Sequence, residues 1–304
     1  MILHLNQELF REIIEESAGS LQIPVDIIEK DYFVSLVLLE LSKKLPDMVF
    51  KGGTSLSKCF RSINRFSEDI DISYPIDIVR VGESKKRALK KAIVETMNEL
   101  SFPVNNLEQS RSRRNYNQYR CSYPSLFPMT TSLRSELIIE TYVAILSFPT
   151  ELREVNSYIH MFLKEKNLNE VINEYQLKPF PLRVQSMNRT FVDKVFAICD
   201  YYLAGKISGH SRHLYDISQI MPVIVFDDTM RQLVKEVRIQ RAVVEICISA
   251  KEGVSINNTL KEIIHSNAYE RDYKNITREL LFIDYDYNEV IASINSIIES
   301  GLFE

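Results

Sequence analysis

The sequence predicts an α+β protein: a mixed α/β lobe with a mixed sheet over about residues 1–150, then a mainly helical lobe over 151–304. Three observations lead there. Short apolar or alternating segments interrupt the helical periodicity before residue 150, the pattern beyond it is almost wholly helical, and 304 residues suffice for about two domains.

Leu and Ile recur at helical spacing from Asn6 to about Ala18 and from Val25 to about Lys44, and Pro24 opens the second of these helices. Asp47-Met48-Val49-Phe50 is short and apolar, as a buried strand is, and ends at Lys51 with glycines immediately after. Residues 54–64 read as a short helix or loop. Asp69-Ile70-Asp71-Ile72 alternates acid with aliphatic, the period of a strand with one polar face. Glu83 to about Leu100 is an amphipathic helix with Lys85, Lys86, Arg87, Lys90 and Lys91 outside, and Asn117 to Tyr123 and Leu133 to Val143 are further strands. In the second lobe helices are predicted at 189–204, 212–220, 229–250, 256–265, 269–282 and 287–299, with one short strand at Leu182 to Gln185. No repeat or low-complexity linker marks the boundary near 150, which is soft by about twenty residues either way.

Composition removes several classes. Cys59, Cys121, Cys199 and Cys247 are dispersed, with no C-x-x-C pair and no cysteine–histidine cluster for zinc. The first eight residues lack the pattern of a signal peptide, and no apolar run approaches the roughly 20 residues of a membrane span. The expectation is a cytoplasmic protein with reduced thiols and no membrane partner. With a net charge of −4, a nucleic-acid partner must be held by a local basic surface.

Two of only eight glycines are adjacent in Lys51-Gly52-Gly53-Thr54-Ser55, directly after a predicted strand. Such a turn lets the backbone approach a ligand, and its amides and hydroxyls can cradle phosphate oxygens; a plain strand-to-helix turn would carry the same pair. Downstream lies Arg65-Phe66-Ser67-Glu68-Asp69-Ile70-Asp71-Ile72. On a strand Asp69 and Asp71 point to one face, where two carboxylates can converge on hard cations such as Mg²⁺ or Mn²⁺ and serve phosphoryl transfer. A solvent-facing strand would also place two acids on one face. The combination is far more specific than either part, and it resembles the polymerase β-like nucleotidyltransferase signature. That signature implies a third carboxylate from a neighbouring strand; Glu136 and Glu140 share a face, and Glu140, after the more apolar stretch, is preferred.

The segments Val49 to Leu56 and Arg65 to Asp71 closely resemble the AbiEii and MenT group of nucleotidyltransferase toxins. Ile28-Glu29-Lys30-Asp31-Tyr32-Phe33 resembles its N-terminal helix, and Arg189 to Lys194 and Arg212-His213-Leu214-Tyr215-Asp216 resemble its two C-terminal motifs. The match runs from about residue 20 to 220. It implies catalytic roles for Asp69, Asp71, Lys194 and Asp216, metal ligation by Asp69, Asp71 and Glu140, and NTP binding by Lys51, Gly52, Gly53, Thr54, Ser55 and Lys194. Taken alone, Lys194 is an ordinary helix lysine. Asp216 would either position that lysine or accept a proton from the attacking hydroxyl. Two departures stand out: Arg212-His213 replaces the family's frequent Lys-Asp, and threonine follows the glycines where relatives have serine. His210 and His213 are three apart, but no third ligand for a cation lies nearby.

The resemblance also implies transfer of a nucleoside monophosphate from an NTP to RNA, with the tRNA 3′ end as the leading acceptor, and a partner antitoxin. The one basic stretch interleaved with aromatics, with Arg111, Arg113, Arg114, Tyr116 and Arg120, is the candidate RNA contact, or equally a soluble hairpin loop. A protein-nucleotidylating enzyme and an inactive scaffold that binds an antitoxin or nucleic acid are the rival readings.

Overall fold

A computed structural model describes residues 1–76, 81–130 and 134–304. The chain forms two compact units, one of residues 1–60 and 66–185, the other of 61–65 and 186–304. A boundary was expected near 150; the contacts divide the chain between Gln185 and Ser186 and assign Arg61–Arg65 to the second unit.

The first unit begins with helices α1 (Gln7–Leu21) and α2 (Val25–Lys44), followed by strand β1 (Val49–Lys51) and the short helix α3 (Gly52–Ser55), which runs into a π turn at Leu56–Phe60. Then come β2 (Asp69–Ser73), α4 (Glu83–Glu99), β3 (Tyr116–Cys121), β4 (Leu137–Tyr142), β5 (Thr150–Val155), α5 (Tyr158–Glu165), α6 (Asn169–Glu174) and β6 (Phe180–Gln185). The six strands make one mixed sheet in the order β3-β4-β2-β1-β6-β5. Leu133, expected to open the fourth strand, lies outside the described residues. β5 corrects the expectation that the chain past residue 150 is helical apart from Leu182 to Gln185, while α5 and α6 are two short helices that the periodicity did not single out.

β2 is central and alternates as the sequence predicts. Ile70 and Ile72 enter the core with Phe50, Leu137 and Ile139, against Phe33, Val37 and Leu41 of α2 and Leu89, Ile93 and Met97 of α4. Asp69 and Asp71, on the other face, are partly exposed. Because side-chain direction alternates along every strand, covering one face fixes the register of the other.

The second unit contains α7 (Met187–Leu203), α8 (Arg212–Ile220), α9 (Asp228–Ala242), α10 (Ile256–His265), the short α11 (Glu270–Asp272) and α12 (Tyr287–Glu299). α7 packs on α8, α9 and α10, and α8 on α12. The helix predicted at 269–282 is instead α11 followed by a π turn and a 3₁₀ turn. Among the described residues no helix is long and apolar enough to cross a membrane.

Candidate active site

In the sheet, Lys51 of β1 pairs with Asp71, Asp71 with Glu140 of β4, and Glu140 with Gln118 of β3. Partners across strands share a face, so these four form one polar row. Asp69 pairs with Ile138, which pairs with Arg120, in the next row of that face. The structure thus gathers Lys51, Asp69, Asp71 and Glu140, predicted separately, on one side of one sheet.

The glycine turn is fitted to this face. Gly52 has φ +79°, and a β-carbon there would lie 2.1 Å from Oδ2 of Asp71, so the backbone conformation and the space both require glycine. The hydroxyls that follow point elsewhere. Thr54 donates to the Asp69 carbonyl at 2.6 Å and lies 2.9 Å from the Ser67 hydroxyl; Ser55 donates to the Gly52 carbonyl at 2.9 Å. Both side chains are fully buried, and these hydrogen bonds brace the turn and the entry of the D-x-D strand. Lys51 remains partly exposed, its ammonium 5.6 Å from the centre of the Tyr142 ring.

Of the two glutamates offered as a third carboxylate, Glu140 shares the row with Asp71 and accepts from Tyr116 Oη at 3.0 Å and Gln118 Nε2 at 2.8 Å. Glu136 precedes β4 and is engaged by Asn105 Nδ2 at 2.7 Å and Arg120 Nε at 2.8 Å; the Asn105 hydrogen bond, with Arg120, holds its carboxyl below the usual range. The stretch proposed for RNA therefore divides. Tyr116 and Arg120 lie on the carboxylate face, committed to Glu140 and Glu136, whereas Arg111, Arg113 and Arg114 stand exposed in the turn before β3. Lys86 and Lys90 of α4 fasten that turn through Asn115 Oδ1 at 2.6 Å and the Ser110 carbonyl at 2.7 Å.

Sequence reasoning missed the charged residues of α2 as parts of this site. Lys30, wholly buried, donates to the Glu68 carboxylate and, at 2.5 Å, to the Arg134 carbonyl. Burial lowers its pKa, and Glu68 opposes that. The Arg134 guanidinium in turn lies 3.6 Å from Asp69 Oδ1. Asp31 takes Lys58 of the π turn at 2.5 Å and the Tyr158 amide at 2.9 Å. The Glu-Lys-Asp run thus looked like a family mark on a helix, and its long-range partners explain it.

In the second unit, Lys194 of α7 and Asp216 of α8 meet at 2.6 Å. Arg65, also missed, grips the same carboxylate with Nε and Nη2, each at 2.7 Å. All three side chains are buried. Burial alone would raise the Asp216 carboxyl; the charges and hydrogen bonds of Arg65 and Lys194 overcome this and hold it well below the usual carboxylate range. Held so, Asp216 is a poor proton acceptor and a good anchor. A second buried network stiffens α7: Arg189 and Arg241 share Asp193, and Arg241 also binds Asp200 at 2.7 Å. His210 and His213 do not converge on a cation; their rings are parallel to each other and to Tyr201, which stacks on His210 at 3.5 Å.

The donor set of the D-x-D face fits a divalent cation. Two half-exposed carboxylates on one strand offer hard oxygens, and the absent β-carbon of Gly52 leaves room beside Asp71. Among the described residues no group of three or more His, Cys, Asp or Glu is arranged to hold a metal ion. A carboxylate pair suits magnesium, which commonly takes one or two carboxylates and completes its shell with water and substrate phosphates.

The fold is similar to the solved structure of MenT4, a nucleotidyltransferase toxin from Mycobacterium tuberculosis H37Rv, at a TM-score of 0.50 and 17% identity, over 96% of this chain and 97% of that one. The family description "Nucleotidyl transferase AbiEii toxin, Type IV TA system" matches residues 36–293. The chain belongs to the AbiEii family of nucleotidyltransferase toxins from type IV toxin–antitoxin systems. No curated protein matches it.

Proposed function

We propose that the protein transfers a nucleoside monophosphate from an NTP to the 3′ end of a tRNA, releasing pyrophosphate, and that Asp69 and Asp71 hold the divalent cation this needs. The observation that carries the reading is the row of Lys51, Asp71 and Glu140, with Asp69 beside it and Gly52 cut back to clear Asp71.

In the reaction the acceptor hydroxyl oxygen bonds to the α-phosphorus as the bond to the bridging oxygen of pyrophosphate breaks, and the hydroxyl proton passes to solvent. A bound cation supplies polarisation of the α-phosphate and neutralises charge on the departing pyrophosphate. Asp69 and Asp71 fix its place, with Glu140 the third carboxylate. Lys51 holds phosphate oxygens as a point charge, while the backbone of Gly52 and Gly53 lets the triphosphate come close; for Lys194 the family resemblance alone implies the same role. Asp216 orients Lys194 and takes no proton. The exposed Arg111, Arg113 and Arg114 suit a polyanionic acceptor, with Tyr116 and Arg120 bordering it on the carboxylate face. The reaction belongs in the cytoplasm, where a cognate antitoxin restrains it.

The test is to incubate the protein with each α-labelled NTP, magnesium and total bacterial tRNA, and to resolve RNA from protein. Label on RNA is expected. Ribonuclease-resistant label on protein would replace tRNA by a protein acceptor, and no label with any NTP would overturn the transferase.

A further inference from the structure

We infer that α4 and the turn before β3 form one ridge for the backbone of a double-stranded RNA stem, with Arg87 and Lys91 on the helix and Arg111, Arg113 and Arg114 on the turn. For the nature of the acceptor this rests on the function proposed above, and it adds which part of the RNA is gripped and where. The chain carries a net charge of −4, yet residues 83–91 and 108–114 hold eight lysines and arginines against two acids, Glu83 and Glu108. One of the eight, Lys85, turns away to Asp47 at 3.6 Å and to the Tyr74 ring. The structure joins the rest. Lys86 Nζ donates to Asn115 Oδ1 at 2.6 Å and Lys90 Nζ to the Ser110 carbonyl at 2.7 Å, so these two lysines pin the turn against the helix. Arg87 Nη2 and Arg113 Nε lie 3.4 and 3.6 Å from the same oxygen of Glu83, which brings a helix guanidinium and a turn guanidinium together around one acid. Lys91 follows Arg87 on the same stripe of the helix and pairs with Glu95 at 3.6 Å. The side chains of Arg87, Lys91 and Arg113 are 64%, 74% and 80% exposed, and ion pairs so wet hold little, so these cations can turn to phosphates at small cost.

The composition of the ridge selects the form of the RNA. Neither segment contains an aromatic residue. Single strands are gripped through bases stacked on aromatic rings, whereas a stem turns its bases inward and presents phosphates, which cations alone can track. The position of the ridge suits a stem as well. Leu89, Ile93 and Met97 of α4 enter the core with Ile70 and Ile72, so the helix covers the sheet face opposite the carboxylates. The turn lies at the margin between the two faces: Asn115, held by Lys86, is followed by Tyr116, whose Oη donates to Glu140. Gln118, in the row of Asp71 and Glu140, is three residues beyond Asn115, about 10 Å along a strand. A stem lying on the ridge therefore sends its unpaired 3′ end over this margin toward the carboxylates, all within the first unit.

The experiment measures binding by fluorescence anisotropy, without NTP, over a series of salt concentrations. The probes are a 5′-labelled RNA hairpin with a short 3′ tail and a 5′-labelled single strand ending in the same tail. Full-length wild type is compared with Arg87→Gln/Lys91→Gln, whose exposed positions leave folding intact, and with Lys164→Gln/Lys166→Gln, which removes the same charge elsewhere on the first unit. The ridge variant is expected to bind the hairpin roughly tenfold more weakly at low salt, with a salt slope smaller by about two, while its binding of the single strand and the hairpin binding of the control match wild type. A wild-type dissociation constant and slope for the hairpin overturn the inference, as does an equal loss for the single strand or for the control. Binding is read without transfer, so a ridge that grips the hairpin in a protein that labels no RNA would sink the proposed reaction and leave the ridge standing; RNA labelled by a protein whose hairpin binding ignores Arg87 and Lys91 would do the reverse.

Discussion

Gly52, the first residue after β1, faces Asp71 of β2: the side chain that Gly52 lacks would overlap the Oδ2 of Asp71, at 2.1 Å. Lys51, the residue before Gly52, is the register partner of Asp71, so the turn and the carboxylate cannot shift independently. The glycine is explained by the acid it faces, and the acid can keep its direction only while the glycine is there.

Gly52→Ala is therefore expected to do two things. Positive φ costs an L-residue about 1–2 kcal/mol, lowering stability by that amount in urea melts. The added methyl also displaces the Asp71 carboxylate, so NTP-dependent labelling falls by a hundredfold or more, on the order of a misplaced catalytic group. A variant with wild-type labelling would show that Asp71 does not work from this position.

Glu140 and Glu136 are separable by metal affinity. Glu140→Gln is expected to weaken Mn²⁺ binding, followed by electron paramagnetic resonance, about tenfold in the presence of NTP, on the scale of a ligand's supporting shell. Glu136→Gln, which alters the Arg120 pairing instead, leaves it unchanged. The reverse order would move the third carboxylate to Glu136.

Removing the Lys30 ammonium tests the support under Asp69. Lys30→Met leaves the Glu68 carboxylate and the Arg134 carbonyl without their buried donor, a loss of about 1–3 kcal/mol measurable by denaturant titration. Transfer falls with it, because Arg134 faces Asp69. Unchanged stability would mean that Lys30 is not the tether.

The pH dependence of stability carries the sign of Asp216. Its folded-state pKa lies below the unfolded value near 3.9, so the stabilisation it gives is complete above that value and declines as pH falls toward the folded pKa. Unfolding free energy should drop below about pH 4 with a slope of up to ~1.4 kcal/mol per unit from this group. Asp216→Asn should flatten that part of the curve; a slope that stays would assign it to other carboxylates.

Much of this was legible in the sequence because it is written locally. Asp69 and Asp71 declare their face by alternating with Ile70 and Ile72, and helices such as α2 and α12 by their apolar spacing. What was missed is non-local or weakly patterned. β5 lies at the sheet edge with Leu152 exposed, so it has no clean apolar face to read. Arg65 meets a carboxylate 151 residues away, and Lys30 meets one 38 residues away; neither distance leaves a period in the chain. The direction of the Thr54 and Ser55 hydroxyls was not legible for the same reason, since the sequence shows that a hydroxyl follows the glycines but not that it turns inward.

The central claim is that the Asp69 and Asp71 carboxylates hold the cation for nucleotidyl transfer. It is tested most directly by the Asp69→Asn/Asp71→Asn protein, whose substitutions keep shape and remove charge, assayed beside wild type for transfer of α-labelled NTP to tRNA with magnesium. The account predicts labelled RNA with wild type alone, from two proteins with closely matched thermal melting. Equal labelling by the folded double variant would contradict it.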